Sequence, residues 1–176
     1  AWYEALQGWF ARRHGWEIRR EAVLCTTGVV PAVSAVIKAF TRPGDGVALL
    51  TPAYNCFFSR IRNNGCFAAE TALIEGDAGW MIDFAALEKT LADPRVKVLL
   101  YCSPHNPAGR VWTADEIRRT AQIAHQAGVL FVCDEIHGEF VFGGSRYLPA
   151  ASVAGVDPLR TVILTSPTKT FNLAGA

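Results

Sequence analysis

Two hydrophobic periods alternate along the chain. Apolar residues at helical spacing mark helices, and short, nearly unbroken apolar runs mark buried strands. Trp2, Leu6, Trp9 and Phe10 fall on one helical face. This predicts an opening helix with a core-facing stripe, ended by His14-Gly15. Val23-Leu24-Cys25-Thr26 reads as a short strand running into Thr27-Gly28-Val29-Val30-Pro31, followed by the helical pattern Val33, Val36, Ile37 and Phe40. After the turn at Arg42-Pro43-Gly44-Asp45-Gly46, Val47 to Leu50 forms a buried strand. Thr51-Pro52-Ala53-Tyr54 then leads into a helix carrying Phe57, Phe58 and Ile61. Cys66 to Leu73 is a further strand, Gly76-Asp77-Ala78-Gly79 a loop, and Phe84 to Leu87 part of a short helix stopped by Asp93-Pro94. Val98 to Cys102 and Val129 to Cys133 are buried strands. Between them the capping box Thr113-Ala114-Asp115-Glu116 starts a helix to Ala127, with Gly128 just past its end. Thr161 to Leu164 is the last apolar, β-branched strand.

Strands this apolar, alternating with helices, predict an α/β fold with a mainly parallel sheet covered on both faces. Ligands of such sheets bind beyond the carboxyl ends of the strands. Thr27-Gly28, Tyr54, Asn106, Asp134 and Lys169 each follow a predicted strand, so five polar or aromatic groups are expected on one rim.

Composition narrows the function classes. The 176 residues are 51% apolar and 19% charged with a net charge of +1, as in a water-soluble globular domain. Arg12-Arg13 and Arg19-Arg20 are too brief for a nucleic-acid footprint, and no apolar run is long enough for a membrane span or opens the chain as a signal peptide. Five scattered cysteines without C-x-x-C spacing read as reduced, mostly buried thiols of a cytoplasmic protein. Both ends read as cut, which predicts a longer parent protein. The G-x-G-x-x-G pattern and the Walker lysine are absent, which argues against a nucleotide site.

Chemistry concentrates in the closing run Thr165-Ser166-Pro167-Thr168-Lys169-Thr170-Phe171-Asn172-Leu173-Ala174-Gly175. A lysine at a strand end among small hydroxylated residues suits imine formation, because only the neutral amine is a nucleophile. Each other candidate has a structural explanation alone: Tyr54 as a packing ring, Asn106 as a turn residue before proline, Asp134 as a turn carboxylate. Together they suit a planar aromatic aldehyde bearing a phosphate. Lys169 would bond its carbonyl, the N–H groups near Gly28 and Val29 with Ser166 would take the phosphate, and Tyr54 would stack. Asn106 would donate to a ring oxygen, and Asp134 would keep a ring nitrogen protonated. His137, three residues past Asp134, is placed to reach the same ring oxygen or Asn106. His14 and His125 read as ordinary surface or packing residues.

Gly28-Val29-Val30-Pro31, Pro52-Ala53-Tyr54, Ser103-Pro104-His105-Asn106-Pro107-Ala108-Gly109-Arg110-Val111-Trp112, Asp134-Glu135-Ile136-His137 and Ser166-Pro167-Thr168-Lys169-Thr170-Phe171-Asn172 occur in order. This series resembles the aminotransferase class I/II family of pyridoxal 5'-phosphate enzymes, and within it the cystathionine β-lyase branch of cysteine–sulfur lyases. The resemblance covers essentially the whole chain. It implies that Lys169 carries the cofactor and is catalytic, and that Asp134, Asn106, Tyr54, His137, Gly28, Val29 and Ser166 bind it. His137 stands where many relatives place a tyrosine. The implied fold is the large domain of that family, a three-layer α/β/α arrangement around a seven-stranded mixed sheet. Residues 1–176 would be part of that domain, and the working unit a homodimer.

The implied activity is α,β-elimination on cystathionine or a related S-substituted L-cysteine. An aminotransferase and a non-enzymatic regulator domain are the alternatives. Cys56 and Thr168 depart mildly from the branch pattern, which often has proline and serine there. The family's next phosphate-binding arginine, its C-terminal small domain and its N-terminal arm have no counterpart in these 176 residues. By themselves they are therefore expected to be inactive.

Overall fold

The computed structural model describes residues 1–76 and 79–174. The predicted loop residues Asp77 and Ala78, and the closing Gly175, lie outside them. Helix α1 (Trp2–His14) is followed by α2 (Val29–Phe40), β1 (Gly46–Thr51), α3 (Asn55–Asn63), β2 (Phe67–Gly76), β3 (Gly79–Ile82) and α4 (Phe84–Leu91). Then come β4 (Val96–Cys102), α5 (Ala114–Gln126), β5 (Leu130–Asp134), β6 (Thr161–Leu164) and the single turn α6 (Pro167–Thr170).

The six strands form one sheet in the order β3-β2-β1-β4-β5-β6. All neighbours pair parallel except β2 and β3. Period two splits the side chains of the buried strands between two cores. Val47, Leu49, Val98, Leu100 and Val132 meet α2 and α3 through Val33, Ile37, Phe57 and Ile61. Ala48, Leu50, Leu99, Tyr101 and Phe131 meet α4 and α5 through Leu87, Leu91, Ile117 and Ala121. The three-layer α/β/α expectation therefore holds. Among the described residues the sheet has six strands, not the seven that the resemblance implies.

Two local expectations need correction. Val23 to Thr26 is not a strand: it follows a 3₁₀ turn, pairs with no described strand, and leaves Leu24 89% exposed. β-Propensity without a neighbour to supply a ladder does not make a strand. Nor does the α1 stripe face the core throughout, since Phe10 is buried but Trp2 is 50% exposed. The antiparallel β3, which carries Trp80 and Met81, was not foreseen.

The capping box at Thr113 forms as predicted, with both reciprocal bonds in place. It starts α5 just after Trp112, whose buried Nε1–H donates to the Cys102 carbonyl at the end of β4 (2.9 Å). Trp112→Phe keeps the ring but leaves that carbonyl without its donor. The substitution should lower the unfolding free energy by about 1–3 kcal/mol, and denaturant titration of the complete protein checks this.

Candidate functional site

Parallel pairing fixes where the site can be. In register, Tyr101 stands beside Cys133, Cys102 beside Asp134, and Asp134 beside Leu164. The ladders run on past the strands, with Ser103 N–H donating to the Asp134 carbonyl (2.9 Å) and Glu135 N–H to that of Leu164 (2.8 Å). The carboxyl ends of β1, β4, β5 and β6 thus share one rim. Tyr54 lies three residues past β1, Asn106 four past β4, Asp134 ends β5, and Lys169 lies five past β6. α2, α3 and α5 start at this rim, so their first-turn N–H groups and the positive ends of their dipoles lie there too.

Asp134 is 5% exposed. Among the described residues its one hydrogen-bond donor is the Ile136 N–H, 3.1 Å from Oδ1. Burial disfavours the ionised form and pushes this carboxyl up to about 6. Tyr54 packs against the α2–α3 core, its ring edge-on to Phe57 at 5.6 Å. Its phenol is raised by a hydrogen bond with Cys56, then by burial and by the charges of Cys56 and Asp134, which places it near that carboxylate.

His137 is half-buried, and its imidazole is held neutral at pH 7 by burial and by the Lys169 charge beside it. Asn106 and His137 line one open cavity of about 510 Å³ with Arg110, Phe140 and Phe142. No described residue bonds the Asn106 side-chain amide. Lys169 is exposed on the turn α6 and forms no ion pair among the described residues. The other three lysines lie elsewhere: Lys38 and Lys89 in the last turns of α2 and α4, and Lys97 near the start of β4. Of four amines, only Lys169 stands on the carboxyl rim.

Gly28 reaches the rim without a strand before it. It is the N-cap of α2, offers no capping side chain, and has φ 147°, where a β-carbon is disfavoured. The first-turn N–H groups from Val29 onward are left open to an anion. Ser166 caps α6 instead, accepting from Thr168 N–H (3.3 Å) and donating to Thr168 Oγ1 (3.0 Å).

A family model described as "Aminotransferase class I and II" matches residues 2–176. The chain belongs to that family. It is 37% identical over 172 residues to cystathionine beta-lyase PatB of Bacillus subtilis, covering 98% of this chain and 44% of that protein. It is also 37% identical over 169 residues to protein MalY of Escherichia coli, covering 96% of this chain and 43% of the relative. Cystalysin of Treponema denticola, whose crystal structure contains a pyridoxal 5'-phosphate cofactor, superposes with a TM-score of 0.93 at 39% identity. That match covers 99% of this chain and 44% of cystalysin. The chain thus spans less than half the length of these relatives.

This family member also carries supports that its sequence did not reveal. Alternation past β5 sends Glu135 to the opposite face from Asp134. There, 1% exposed, it accepts bonds from the Tyr147 hydroxyl and the Ala150 N–H (2.7 Å). Gly138 makes room for this, because a β-carbon there would come within 2.8 Å of the Tyr147 ring. His105, 3% exposed, donates from Nε2 to the Pro52 carbonyl (2.9 Å) and ties the Asn106 turn to the Tyr54 turn. Burial lowers its pKa, so the ring is neutral. Of the two roles expected for His14, surface or packing, it takes the second and adds a partner: its side chain is 8% exposed and lies 2.6 Å from Glu139.

The Asp134 carboxyl gives a pH test. Its folded value of about 6 lies above the ordinary 3.8. The native state therefore holds a proton that the unfolded state releases as pH rises through that window. Stability present below about pH 4 is lost above about pH 6. Asp134→Asn removes the cost. With no small molecule bound, the variant of the complete protein should be more stable than the parent by about 3 kcal/mol at pH 8 and equal to it at pH 4. Thermal unfolding at the two pH values measures the difference, and an equal gain at both contradicts the assignment.

Proposed function

We propose that the complete protein is a pyridoxal-phosphate carbon–sulfur lyase that eliminates the β-sulfur of cystathionine or a related S-substituted L-cysteine. The observation that supports the reading is the rim itself: one amine, one buried carboxylate, one flat ring and one helix N-terminus without a side-chain cap follow, or lie at, the same ends of the parallel strands. Their chemistry fits the cofactor. Asp134 is a buried carboxylate with a single donor, so a ring N–H suits it as a second partner. The α2 N-terminus behind Gly28 has no side-chain cap and suits a phosphate. Support for lyase chemistry comes from the relatives named cystathionine beta-lyase and from the cofactor held by cystalysin.

When bound, pyridoxal phosphate supplies an aldehyde for an amine and a ring that accepts electrons. Lys169 is the nucleophile for that aldehyde. With the cofactor in place, the same Nζ would take the proton from the substrate α-carbon. Asp134 holds the ring-nitrogen proton, which a carboxylate does by hydrogen bonding and charge together. Asn106 donates to the ring oxygen from a side chain with no other described partner, and His137 stands by as a neutral imidazole. Tyr54 covers one ring face. The N–H groups at Gly28 and Val29, with the Ser166 hydroxyl, would hold the phosphate. The negative charge left at the α-carbon expels the β-sulfur as a thiolate. Hydrolysis of the remaining three-carbon fragment gives pyruvate and ammonia.

In this reading residues 1–176 are part of the large cofactor-binding domain of a cytoplasmic homodimer that takes a small amino-acid substrate. The exposed apolar residues Leu24, Phe142 and Leu159 suit cover by a second copy or by other parts of the protein.

Pyruvate release from L-cystathionine by the complete protein, supplied with pyridoxal phosphate, tests the proposal. The parent should release pyruvate, and Lys169→Ala should lose at least about 10³-fold in rate. Amino transfer to a keto acid with no pyruvate released would overturn the lyase reading.

A further inference from the structure

Lys169 and Asp134 sit on different turns, one hung from β6 and one from β5. The α6 turn is four residues long and its neighbours Phe171 and Leu173 are exposed, so it holds little of its own position. One side chain from the far end of the sequence touches both turns. Trp9 Nε1–H donates to Glu139 Oε1 (2.8 Å), five residues past Asp134 and two past His137. The same indole packs edge-on against Phe171, two residues past Lys169, with ring centroids 5.1 Å apart.

The anchorage is built from several contacts. Glu139, its side chain 14% exposed, is also met by His14 Nε2 (2.6 Å) and Arg13 Nη2 (3.2 Å). Burial alone would raise this carboxyl, but the bonds from His14 and Trp9 outweigh it and hold Glu139 below its ordinary range, charged at pH 7. The Arg13 guanidinium also lies over the indole, 5.2 Å from the ring centroid. His14 in turn packs edge-on against Tyr147 at 4.8 Å, and Tyr147 bonds Glu135, the residue next to Asp134. An indole suits this place because it combines a large ring with one N–H donor at its edge.

We propose that Trp9 is a positioning residue, clamping the Lys169 turn to the Asp134–Glu139 turn and so setting the amine relative to the carboxylate. The structural coupling stands without the lyase reading, and only its effect on catalysis rests on that reading. A misplacement of about 1 Å between reacting groups can cost about 10²-fold in rate.

The test uses the complete protein and has two readouts. Hydrogen–deuterium exchange without cofactor is the first. Trp9→Ala should speed exchange by about tenfold in peptides covering both 135–140 and 166–174. Trp9→Phe keeps the ring but not the N–H, so it should loosen 135–140 while 166–174 stays near the parent. Phe171→Ala should loosen 166–174 alone. Trp2→Ala, at the half-exposed start of the same helix, should change neither. The second readout is steady-state kinetics with pyridoxal phosphate bound. Trp9→Ala should lower kcat by about tenfold or more and move KM by less than about threefold. Parental exchange across 166–174 in both Trp9→Ala and Phe171→Ala, or the same response in Trp2→Ala, overturns the clamp. A parent that releases no pyruvate would overturn the lyase reading instead, and the exchange result would still decide the clamp.

Discussion

Parallel pairing of β1, β4, β5 and β6 is the constraint on which the rest depends. Parallel strands need a crossover helix between them, and each crossover returns the chain to the same end of the sheet. β1, β4, β5 and β6 therefore all finish at one rim, and α3 and α5, which follow β1 and β4, begin there. That geometry brings Tyr54, Asn106, Asp134 and Lys169 together although 115 residues separate the first from the last. It also points the open N-terminus of α2 at the same space. Antiparallel pairing of the central strands would send alternate strand ends to opposite edges and scatter the set.

Electrostatics at the rim follows from alternation along β5. Consecutive carboxylates, Asp134 and Glu135, leave the sheet on opposite faces, so two buried negative charges do not share one pocket. Glu135, raised to about 7 by burial, is met by Tyr147 and Ala150 and serves the scaffold. Among the described residues Asp134 has one donor, the Ile136 backbone N–H. The difference lies in satisfaction rather than in residue type. A carboxylate with few protein partners, held against the cost of burial, is suited to a cationic ligand.

Much of this was legible in the sequence, because strong local signals and global topology agree. The apolar runs of β1, β4, β5 and β6, the capping box at Thr113 and the glycine before α2 all indicated their local structure. The false strand at Val23 to Thr26 shows the limit of propensity, since a ladder needs a partner that composition does not reveal. β3 was missed because it is four residues long and itself starts with a glycine. The supports around the site were illegible for a different reason. Glu139 meets Trp9 and His14 across about 130 and 125 residues, and His105 meets Pro52 across 53. The one available hint was chemical: an aromatic helix carrying Trp9, together with two glutamates just past a buried strand, leaves donors and acceptors that need partners.

The central claim is that the carboxyl rim holds the cofactor through Lys169. Lys38, Lys89, Lys97 and Lys169 are the four lysines of this chain, and only the last stands on that rim. The most direct measurement is borohydride reduction of the complete protein after incubation with pyridoxal phosphate, followed by peptide mass mapping. The account predicts one reduced adduct, on the peptide that carries Lys169. Label on Lys38, Lys89 or Lys97 with none on Lys169, or no adduct at all, would contradict it.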